Sequence, residues 1–445
     1  MTDYKIKEGY KVPILGEARK EISDLPHPPF VGVCPVEFPG LKPKLAVKVD
    51  DEVKVGTPLF FDKTSPSVQF VSPASGRVTA INYGPRRVIE EVIITTSKSY
   101  EYESFPKHSA GEIGKLDRED LVAQLMKGGI WPCIRKRPFN KIASPDDAPK
   151  AIFVNCMDTA PLAADPCFSL KDQGQAFAAG VAALEVLCPT VHVCAEAGAD
   201  NSPFQGAGNF HTFSGKHPAG LTGTHISRIS PINKGDWVWC LNARDAVMVG
   251  RFLLEGRYPV ERVVAVAGPG ATKPQYYKAQ LGMKVKDIVG GNKEAGEQRF
   301  VSGNVLCGSA REEEGYLGFY DDLITIVPEG RDQRFLGWMM PGGIQSHGRS
   351  YITGFFSSLF KMNTNQNGGH RAIIQSGIFE NVVALDVHPE FLLKATMAQD
   401  IDAMEQLGIM ECDPEDFALC TYLCPSKTEV SGIIASGLEL MEKEG

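Results

Sequence analysis

The sequence predicts an α/β multi-domain protein in which a small all-β module comes first. A doubly wound parallel sheet, a small β-rich insert and a helical C-terminal region follow. Three patterns support this order: short alternating apolar segments over 41–94, strand-like runs between helical periodicities over 150–268, and helical spacing beyond residue 370. With 445 residues, 43% of them hydrophobic, the chain has enough apolar material for several independent cores.

The composition argues against several classes of function. The 46 basic residues are outnumbered by 54 acidic ones, so the chain lacks the positive field that nucleic acid requires. A membrane helix needs roughly 20 apolar residues, and the best stretch, 351–360, is only half that long. The beginning of the chain lacks the apolar centre of a secretory signal. We therefore predict a cytoplasmic protein whose 11 cysteines are reduced.

The first predicted domain, 1–100, consists of the β module and an N-terminal extension. Its phrases KVDDEVKVGTPLF and SPASGRVTAI resemble the barrel-sandwich hybrid of biotinyl and lipoyl domains. Such carriers place a modified lysine at a hairpin tip. In this sequence the tip reads Ser65-Pro66-Ser67 and the nearest lysine, Lys63, lies on its flank. An unmodified scaffold is therefore favoured over a carrier protein.

The second predicted domain, 101–268, is a Rossmann-like α/β domain. Residues 151–155 form an apolar strand pattern, and the helix after it has four apolar residues on one face: Phe177, Val181, Leu184 and Cys188. A second unit has a strand over 236–241 and a helix that begins after Asn242. A third strand is predicted over 263–267. Alternating strands and helices indicate a mostly parallel sheet.

Two further domains are predicted beyond the α/β domain. Residues 269–335 look like a β-grasp-like insert, because AQLGMKVKDIVGG and RFVSGNVLCG are typical of strands and turns. Residues 336–445 form a helical domain with a decayed ferredoxin-like remnant. Its last helix is amphipathic, with one face made of Val430, Ile434, Leu438 and Met441.

Two glycine-containing loops are weak candidates for phosphate binding. The loop from Gly268 to Lys273 follows a strand, but its order of residues differs from Gly-x-x-x-x-Gly-Lys-Ser/Thr, and Pro274 follows it. The pair Gly206 and Gly208 lacks the third glycine of a dinucleotide fingerprint. Both are interpreted as turns.

Two groups of potential metal ligands also fall short of a site. The histidine group consists of His211, His217 and His225. These residues lack the tight pairwise spacing that is typical of zinc ligands. The cysteine group consists of Cys412, Cys420 and Cys424. Of these, Cys420 and Cys424 match the last two positions of the ferredoxin pattern Cys-x₂-Cys-x₂-Cys-x₃-Cys-Pro, and Cys412 does not fit the spacing. Phe417 and Pro414 stand where further thiolates would be needed. We predict no metal centre on this chain.

Seven phrases, distributed from the beginning of the chain to its C-terminal region, occur in fixed order. They are KIKEGYKVPILGEAR, KVDDEVKVGTPLFFDK, SPASGRVTAINYGPRRV, GGIWPCIRKRPFNKI, NCMDTAPLAADP, FHTFSGKHPAGLTGTHI and EDFALCTYLCPSK. Together they resemble the A subunit of the Na⁺-translocating NADH:quinone reductase of bacterial membranes. The resemblance implies a peripheral cytoplasmic subunit that carries no tightly bound redox group and no catalytic residue. It also implies docking on membrane-embedded subunits, chiefly the B subunit.

The complex that the resemblance implies oxidises NADH, reduces ubiquinone and exports Na⁺, with flavins and iron centres in other subunits. The family is similar to the FMN-binding subunit of respiratory complex I and to the C subunit of Rnf complexes. Those relatives hold flavin phosphate on a glycine-rich loop, where this chain has the sequence from Lys127 to Trp131. Ile130 and Trp131 fill space that a phosphate loop leaves open. The alternative is an Rnf-C-like NADH dehydrogenase subunit that itself binds FMN and iron–sulfur.

One segment is a candidate for contact with quinone or a membrane partner. It combines aromatic and basic residues, which suit a flat, partly apolar ligand or an anionic surface. The candidates are Trp131, Arg135, Arg137, Pro138 and Phe139. The alternative is a solvated basic turn with Trp131 in the core.

Overall fold

A computed structural model describes residues 2–331, 359–374 and 376–445. The predicted domain boundary at 335/336 and most of the apolar stretch 351–360 lie outside these ranges. Within them, every helix is too short or too polar to cross a membrane.

The strands of the described residues are numbered in chain order. They are β1 (Thr2–Lys5), β2 (Arg19–Asp24), β3 (Phe30–Val33), β4 (Pro43–Leu45), β5 (Glu52–Val53), β6 (Pro58–Asp62), β7 (Gln69–Val71), β8 (Gly76–Tyr83), β9 (Ile89–Thr96), β10 (Arg135–Arg137), β11 (Lys141–Ile142), β12 (Ile152–Asn155), β13 (Val191–Glu196), β14 (Asn209–Ser214), β15 (Val238–Asn242), β16 (Glu261–Ala267), β17 (Gln275–Gln280), β18 (Gln298–Ser302), β19 (Ser309–Arg311) and β20 (Leu323–Pro328).

The α-helices of the described residues are α1 (Ala110–Ile113), α2 (Arg118–Lys127), α3 (Pro166–Ser169), α4 (Gly174–Leu187), α5 (Thr222–Ile229), α6 (Ala243–Glu255), α7 (Val285–Val289), α8 (Pro389–Met397), α9 (Ile401–Gln406), α10 (Ala418–Leu423) and α11 (Val430–Glu444).

The β module consists of two small sheets that share one apolar core. Their strand orders are β3-β9-β8-β5 and β4-β6-β7. Leu59 and Phe60 from one sheet and Val78 and Ile94 from the other are fully buried. The predicted hairpin tip is confirmed, because residues 63–68 connect the antiparallel strands β6 and β7.

A seven-stranded sheet forms the centre of the α/β domain, with the order β1-β14-β13-β12-β15-β10-β11. The first five of these strands are parallel, and β10 and β11 form antiparallel pairs beside them. From β12 the chain builds β13 and β14 on one side, and β15 then lies on the other side. The chain therefore changes direction between β12 and β15, which makes this point a topological switch.

Helices α4 and α6 pack against each other through glycines. A Cβ atom on Gly180 would lie 1.9 Å from the carbonyl oxygen of Ala246, and one on Gly250 would lie 1.8 Å from that of Ala176. Only glycine allows the two backbones to approach so closely. The predicted α4 and α6 are confirmed, and Gly256 ends α6 in the left-handed conformation.

The prediction that 263–267 forms a third strand of this parallel sheet is wrong. The strand exists as β16, but it belongs to a separate six-stranded sheet with the order β19-β18-β20-β16-β17-β2. There it pairs antiparallel with β17 and parallel with β20. A buried strand shows the same apolar run whichever sheet it joins, so its pattern did not reveal its partners.

The N-terminal extension packs on the two large sheets, although the sequence suggested that it accompanies the β module. Strand β1 pairs in parallel with β14 at the edge of the seven-stranded sheet, with Thr2 opposite His211. Strand β2 pairs in parallel with β17 at the edge of the six-stranded sheet. Residues 2–24 therefore connect both sheets before the β module begins.

The C-terminal region of the described residues is helical, as predicted. Its core includes the predicted apolar face of α11, and the four residues of that face are buried: Val430, Ile434, Leu438 and Met441. The residues after β16 form strands β17 to β20 of the six-stranded sheet and helix α7. A β-grasp-like topology for this insert stays a prediction.

Candidate functional site

The main cavity of the described structure has a volume of about 740 Å³. It opens at the carboxyl ends of β12 and β15, at the topological switch of the seven-stranded sheet. Residues after β12, at the start of α5 and at the start of α6 form one wall. The six-stranded sheet and the turn 413–415 of the C-terminal region form the others. Ligands of open α/β sheets bind in this position.

One side of the cavity is rich in arginine. The Arg135 guanidinium lies over the ring of Tyr320, 4.7 Å from its centroid, and the structure gives it no hydrogen bond to a described residue. Arg244 donates from Nη2 to the Tyr320 carbonyl oxygen at 3.1 Å and to Asp245 Oδ1 at 2.9 Å. Tyr320 thus holds both guanidinium groups at the same wall.

Arg262 completes this basic side. Its Nη1 donates to the carbonyl oxygen of Asp321 at 2.8 Å. Burial, together with the positive charge of Arg244, lowers the pKa of Arg262 to about 10. The acids Asp245 and Asp322 offset part of the positive charge.

The cavity wall also carries an acidic residue. Asp158 follows β12, and its side chain is exposed to the cavity. Because protein surrounds it, the pKa of its carboxyl is raised to about 7, and the charges of Asp322 and Glu415 add to this effect. Cys307 is also exposed at this wall, and its thiol pKa is raised by burial and by nearby carboxylates.

Arg137 lies two residues after Arg135 on β10, yet its surroundings differ completely. It is 3% exposed and meets three carboxylates of the C-terminal region. Its Nη2 donates to Glu415 Oε1 at 2.6 Å, and its Nη1 lies 3.0 Å from Asp413 Oδ2 and 3.9 Å from Asp416 Oδ2. These pairs fasten the C-terminal region to the α/β domain.

The five residues predicted to contact quinone or a partner have separate positions. Trp131 is fully buried, donates from Nε1 to the Ala143 carbonyl oxygen at 2.8 Å and packs edge-on against Trp239. Arg137 and Pro138 are also buried. Phe139 is half-buried against the C-terminal core, and Arg135 reaches the cavity. The contact role of this segment stays a prediction.

The glycine pair after α2 contacts protein. A Cβ atom on Gly128 would lie 2.1 Å from Phe252 Cζ, and one on Gly129 would lie 2.6 Å from Val71 Cγ2. The glycines therefore admit two apolar side chains, and Ile130 is fully buried beside them. This arrangement does not fit a loop that holds a flavin phosphate.

The three C-terminal cysteines lie in a helical core. Cys412 donates from Sγ to the Gly408 carbonyl oxygen, while Cys424 accepts from the Thr428 amide. Cys420 is fully buried. Among the described residues, no group of three or more ligand side chains is arranged for a metal ion. The thiols therefore do not fit a cluster cage.

The three histidines of the predicted group lie on β14, in the following loop and in α5, and they have separate partners. His211 Nε2 lies 3.0 Å from His192 Nδ1, and His225 Nε2 lies 3.0 Å from the Ala219 carbonyl oxygen. The third, His217, contacts Thr159 through Nδ1. Burial lowers the pKa of His217 to about 4.

Sequence reasoning missed several cavity residues, namely Asp158, Arg244, Arg262, Cys307 and Tyr320. A usable signal existed for the first two. Asp158 and Arg244 each come shortly after a strand of the parallel sheet, where ligand-binding side chains gather. Arg262, Cys307 and Tyr320 come from the six-stranded sheet and its loops, so only the packing of the two sheets brings them to the cavity.

Three family models match consecutive parts of the chain. They describe the NqrA N-terminal barrel-sandwich hybrid domain over 4–97, the NqrA second alpha/beta domain over 116–258 and the NQRA C-terminal domain over 263–312. A protein of Neisseria meningitidis serogroup C, named as the A subunit of Na(+)-translocating NADH-quinone reductase, is 40% identical over 99% of this chain and 100% of its own. This chain belongs to that family. The barrel-sandwich hybrid predicted for the first domain is thereby confirmed.

Other relatives carry the same name. The protein of Klebsiella pneumoniae is 40% identical over 99% of this chain and 100% of its own, and that of Histophilus somni is 39% identical over 99% of each chain. These matches disfavour the alternative of an Rnf-C-like dehydrogenase subunit. A solved NAD⁺-reducing [NiFe]-hydrogenase covers 50% of this chain and 49% of its own, at 11% identity and a TM-score of 0.37.

Proposed function

We propose that this chain is a peripheral subunit of a Na⁺-translocating NADH:quinone reductase and docks on its membrane-embedded subunits, chiefly the B subunit, at the cytoplasmic face. The end-to-end match to the NqrA relatives carries this proposal. The match extends through every domain, so the surfaces that relatives use for assembly have counterparts in this chain. The complex would couple NADH oxidation and ubiquinone reduction to Na⁺ export.

We propose further that the chain holds no flavin or iron–sulfur centre tightly. Val71 and Phe252 occupy the space beside the glycine pair, and the C-terminal thiols bond to backbone groups within a helical core. NADH, flavins, iron centres and Na⁺ would then be handled by other subunits. No residue of this chain is proposed as catalytic.

The proposal that segment 131–139 contacts quinone or a partner is supported by two of its residues. Arg135 reaches the cavity, and Phe139 keeps part of its ring accessible. Trp131, Arg137 and Pro138 would support the segment from the interior. A quinone ring stacked beside a guanidinium is the arrangement this proposal needs.

Complementation tests the assembly role. In a bacterium that contains the complex, this chain would replace the resident NqrA protein, and Na⁺-stimulated NADH:quinone reductase activity would be measured in the membranes. We expect activity to return, with this chain co-purifying with the B subunit. A complex that lacks this chain despite its expression would contradict the proposal.

The absence of a tightly bound redox group is tested by the absorption spectrum of the purified full-length chain. We expect no flavin or iron–sulfur bands after gel filtration. Stoichiometric flavin or iron would overturn this part of the proposal and restore the dehydrogenase alternative.

A further inference from the structure

The arginine side of the cavity contains donors without partners. The Arg135 guanidinium is partly exposed at the cavity wall and makes no hydrogen bond to a described residue, and Nη1 of Arg244 has only Asp322 nearby, at 3.8 Å. A buried donor left without an acceptor costs roughly 1–3 kcal/mol, and more when the group is charged. Such donors persist where something else accepts their hydrogen bonds.

The start of α6 opens onto the same wall. This helix has 13 residues, and the side chain of its N-cap, Asn242, does not cap the first turn. Asn242, Ala243 and Arg244 all line the cavity. The free amides and the dipole at a helix N-terminus favour an anionic group.

Two of the nearby acids are already paired with arginines. Glu415 accepts from Arg137 at 2.6 Å, and Asp245 accepts from Arg244 through Oδ1. Asp322 Oδ2 is 3.8 Å from Arg244 Nη1, which is beyond hydrogen-bond distance.

We infer that the cavity binds a small molecule through a phosphate or carboxylate group, held between Arg135, Arg244 and the N-terminus of α6. Planar guanidinium groups suit both kinds of anion, because they donate two parallel hydrogen bonds. The volume of about 740 Å³ leaves room for an organic portion of the ligand beyond the anionic group. The site goes beyond the proposed assembly role and does not depend on it.

Calorimetric titration of the full-length chain tests the inference with three separate probes: inorganic phosphate, adenosine monophosphate and succinate. We expect saturable binding of at least one probe at millimolar concentration or below. The probe that binds identifies the source of the anion, since inorganic phosphate reports a free ion, the nucleotide a phosphate ester and succinate a carboxylate.

The variant Arg135→Gln locates the site. Arg135 makes no hydrogen bond to a described residue, so its replacement orphans no protein acceptor. We expect this variant to bind the same probe about tenfold more weakly or worse. The matched control is Arg87→Gln, which removes an arginine from the exposed hairpin between β8 and β9 and should leave affinity unchanged.

Three results would overturn the inference. These are no binding of any probe, equal binding by the wild-type chain and Arg135→Gln, or equal loss in the Arg87→Gln control. Co-purification of the Arg135→Gln chain with the B subunit is measured in parallel, so failure of the anion site is distinguishable from failure of the assembly role.

Discussion

Arg135 and Arg137 lie two residues apart on β10 and represent two opposite uses of a buried cation. Arg137 is enclosed by Asp413, Glu415 and Asp416 of the C-terminal region. Arg135 rests on the ring of Tyr320 and faces an open cavity without a hydrogen bond to the described protein. Since successive residues of a strand alternate in direction, i and i+2 share a face. Arg135 and Arg137 therefore lie on the same face of β10, and their burial alone does not show that one pairs with carboxylates and the other faces a cavity.

The difference teaches that the partners of a buried charge indicate its role better than its burial does. A cation that is paired with carboxylates of another region holds the two regions together, and its removal leaves unpaired acids in the interior. A cation with unused donors at a cavity wall is available to a ligand. Substitutions on β10 should therefore separate stability from binding.

The largest expected effect belongs to Arg137→Met. It leaves three carboxylates without their buried cation, so we expect the free energy of unfolding to fall by about 3–5 kcal/mol. Urea denaturation followed by circular dichroism measures this change. A loss of under about 1 kcal/mol would mean that the carboxylates are neutral in the folded chain, and the comparison would fail.

A smaller loss is expected for Glu415→Gln, because Asp413 still pairs with Arg137. Removing one charged hydrogen-bond partner costs about 1.5–3 kcal/mol. Although burial opposes ionisation, Arg137 and Arg135 hold the pKa of Glu415 below its usual value. The ionised Glu415 therefore stabilises the fold fully above the pKa that this carboxyl has in the unfolded chain. This stabilisation is lost as the pH falls through its lower pKa in the folded chain. The difference in unfolding free energy between wild type and variant should be full at pH 7 and shrink below about pH 4.5.

Arg135→Gln should change stability by less than about 1 kcal/mol. The lost contact with the Tyr320 ring is offset by the removal of a poorly solvated charge. The same denaturation measurement applies, with Arg137→Met as its counterpart. A loss as large as that of Arg137→Met would show that Arg135 has a structural partner, and the contrast along β10 would disappear.

The smallest effect is expected for Asp158→Asn, because its side chain is partly accessible at the cavity. The amide keeps the oxygen that accepts from the Ala160 amide at 2.8 Å. The pKa of Asp158 is raised to about 7 in the folded chain. The wild-type protein is therefore most stable below the pKa that this carboxyl has in the unfolded chain, and it loses stability as the pH rises from there to about 7. We expect the variant to gain stability relative to wild type between about pH 4 and pH 7.

The control for this pH dependence is Asp172→Asn, at an exposed position that does not line the cavity. Its stability difference from wild type should stay constant over the same pH range. A flat profile for Asp158→Asn as well would mean that Asp158 titrates normally and that the cavity is fully hydrated there.

The sequence predicted local elements well where one periodicity dominates. Helix α4 and the buried face of α11 follow from apolar spacing, and α6 follows from Asn242 and Gly256 at its ends. Partners distant in sequence were not predictable. β16 was assigned to the wrong sheet because its apolar run fits any buried strand, and the pairing of β1 with β14 spans about two hundred residues.

The cavity shows the same limit. The sequence placed Arg135 and Arg137 together as one basic patch, because adjacent residues of the same type look equivalent in a sequence. Their difference depends on Tyr320 and on the turn 413–416, which lie far away along the chain. Chemistry that is assembled from several domains carries no local spacing signal.

Strands β1 and β2 also affect how the chain is made. Both are synthesised well before their partners β14 and β17, which follow roughly 200 to 250 residues later, or about 10–50 s at bacterial rates. During that interval the N-terminal segment has no edge to pair with, although the β module behind it can already fold. Strands β1 and β2 thus wait longer than the β module for their final neighbours.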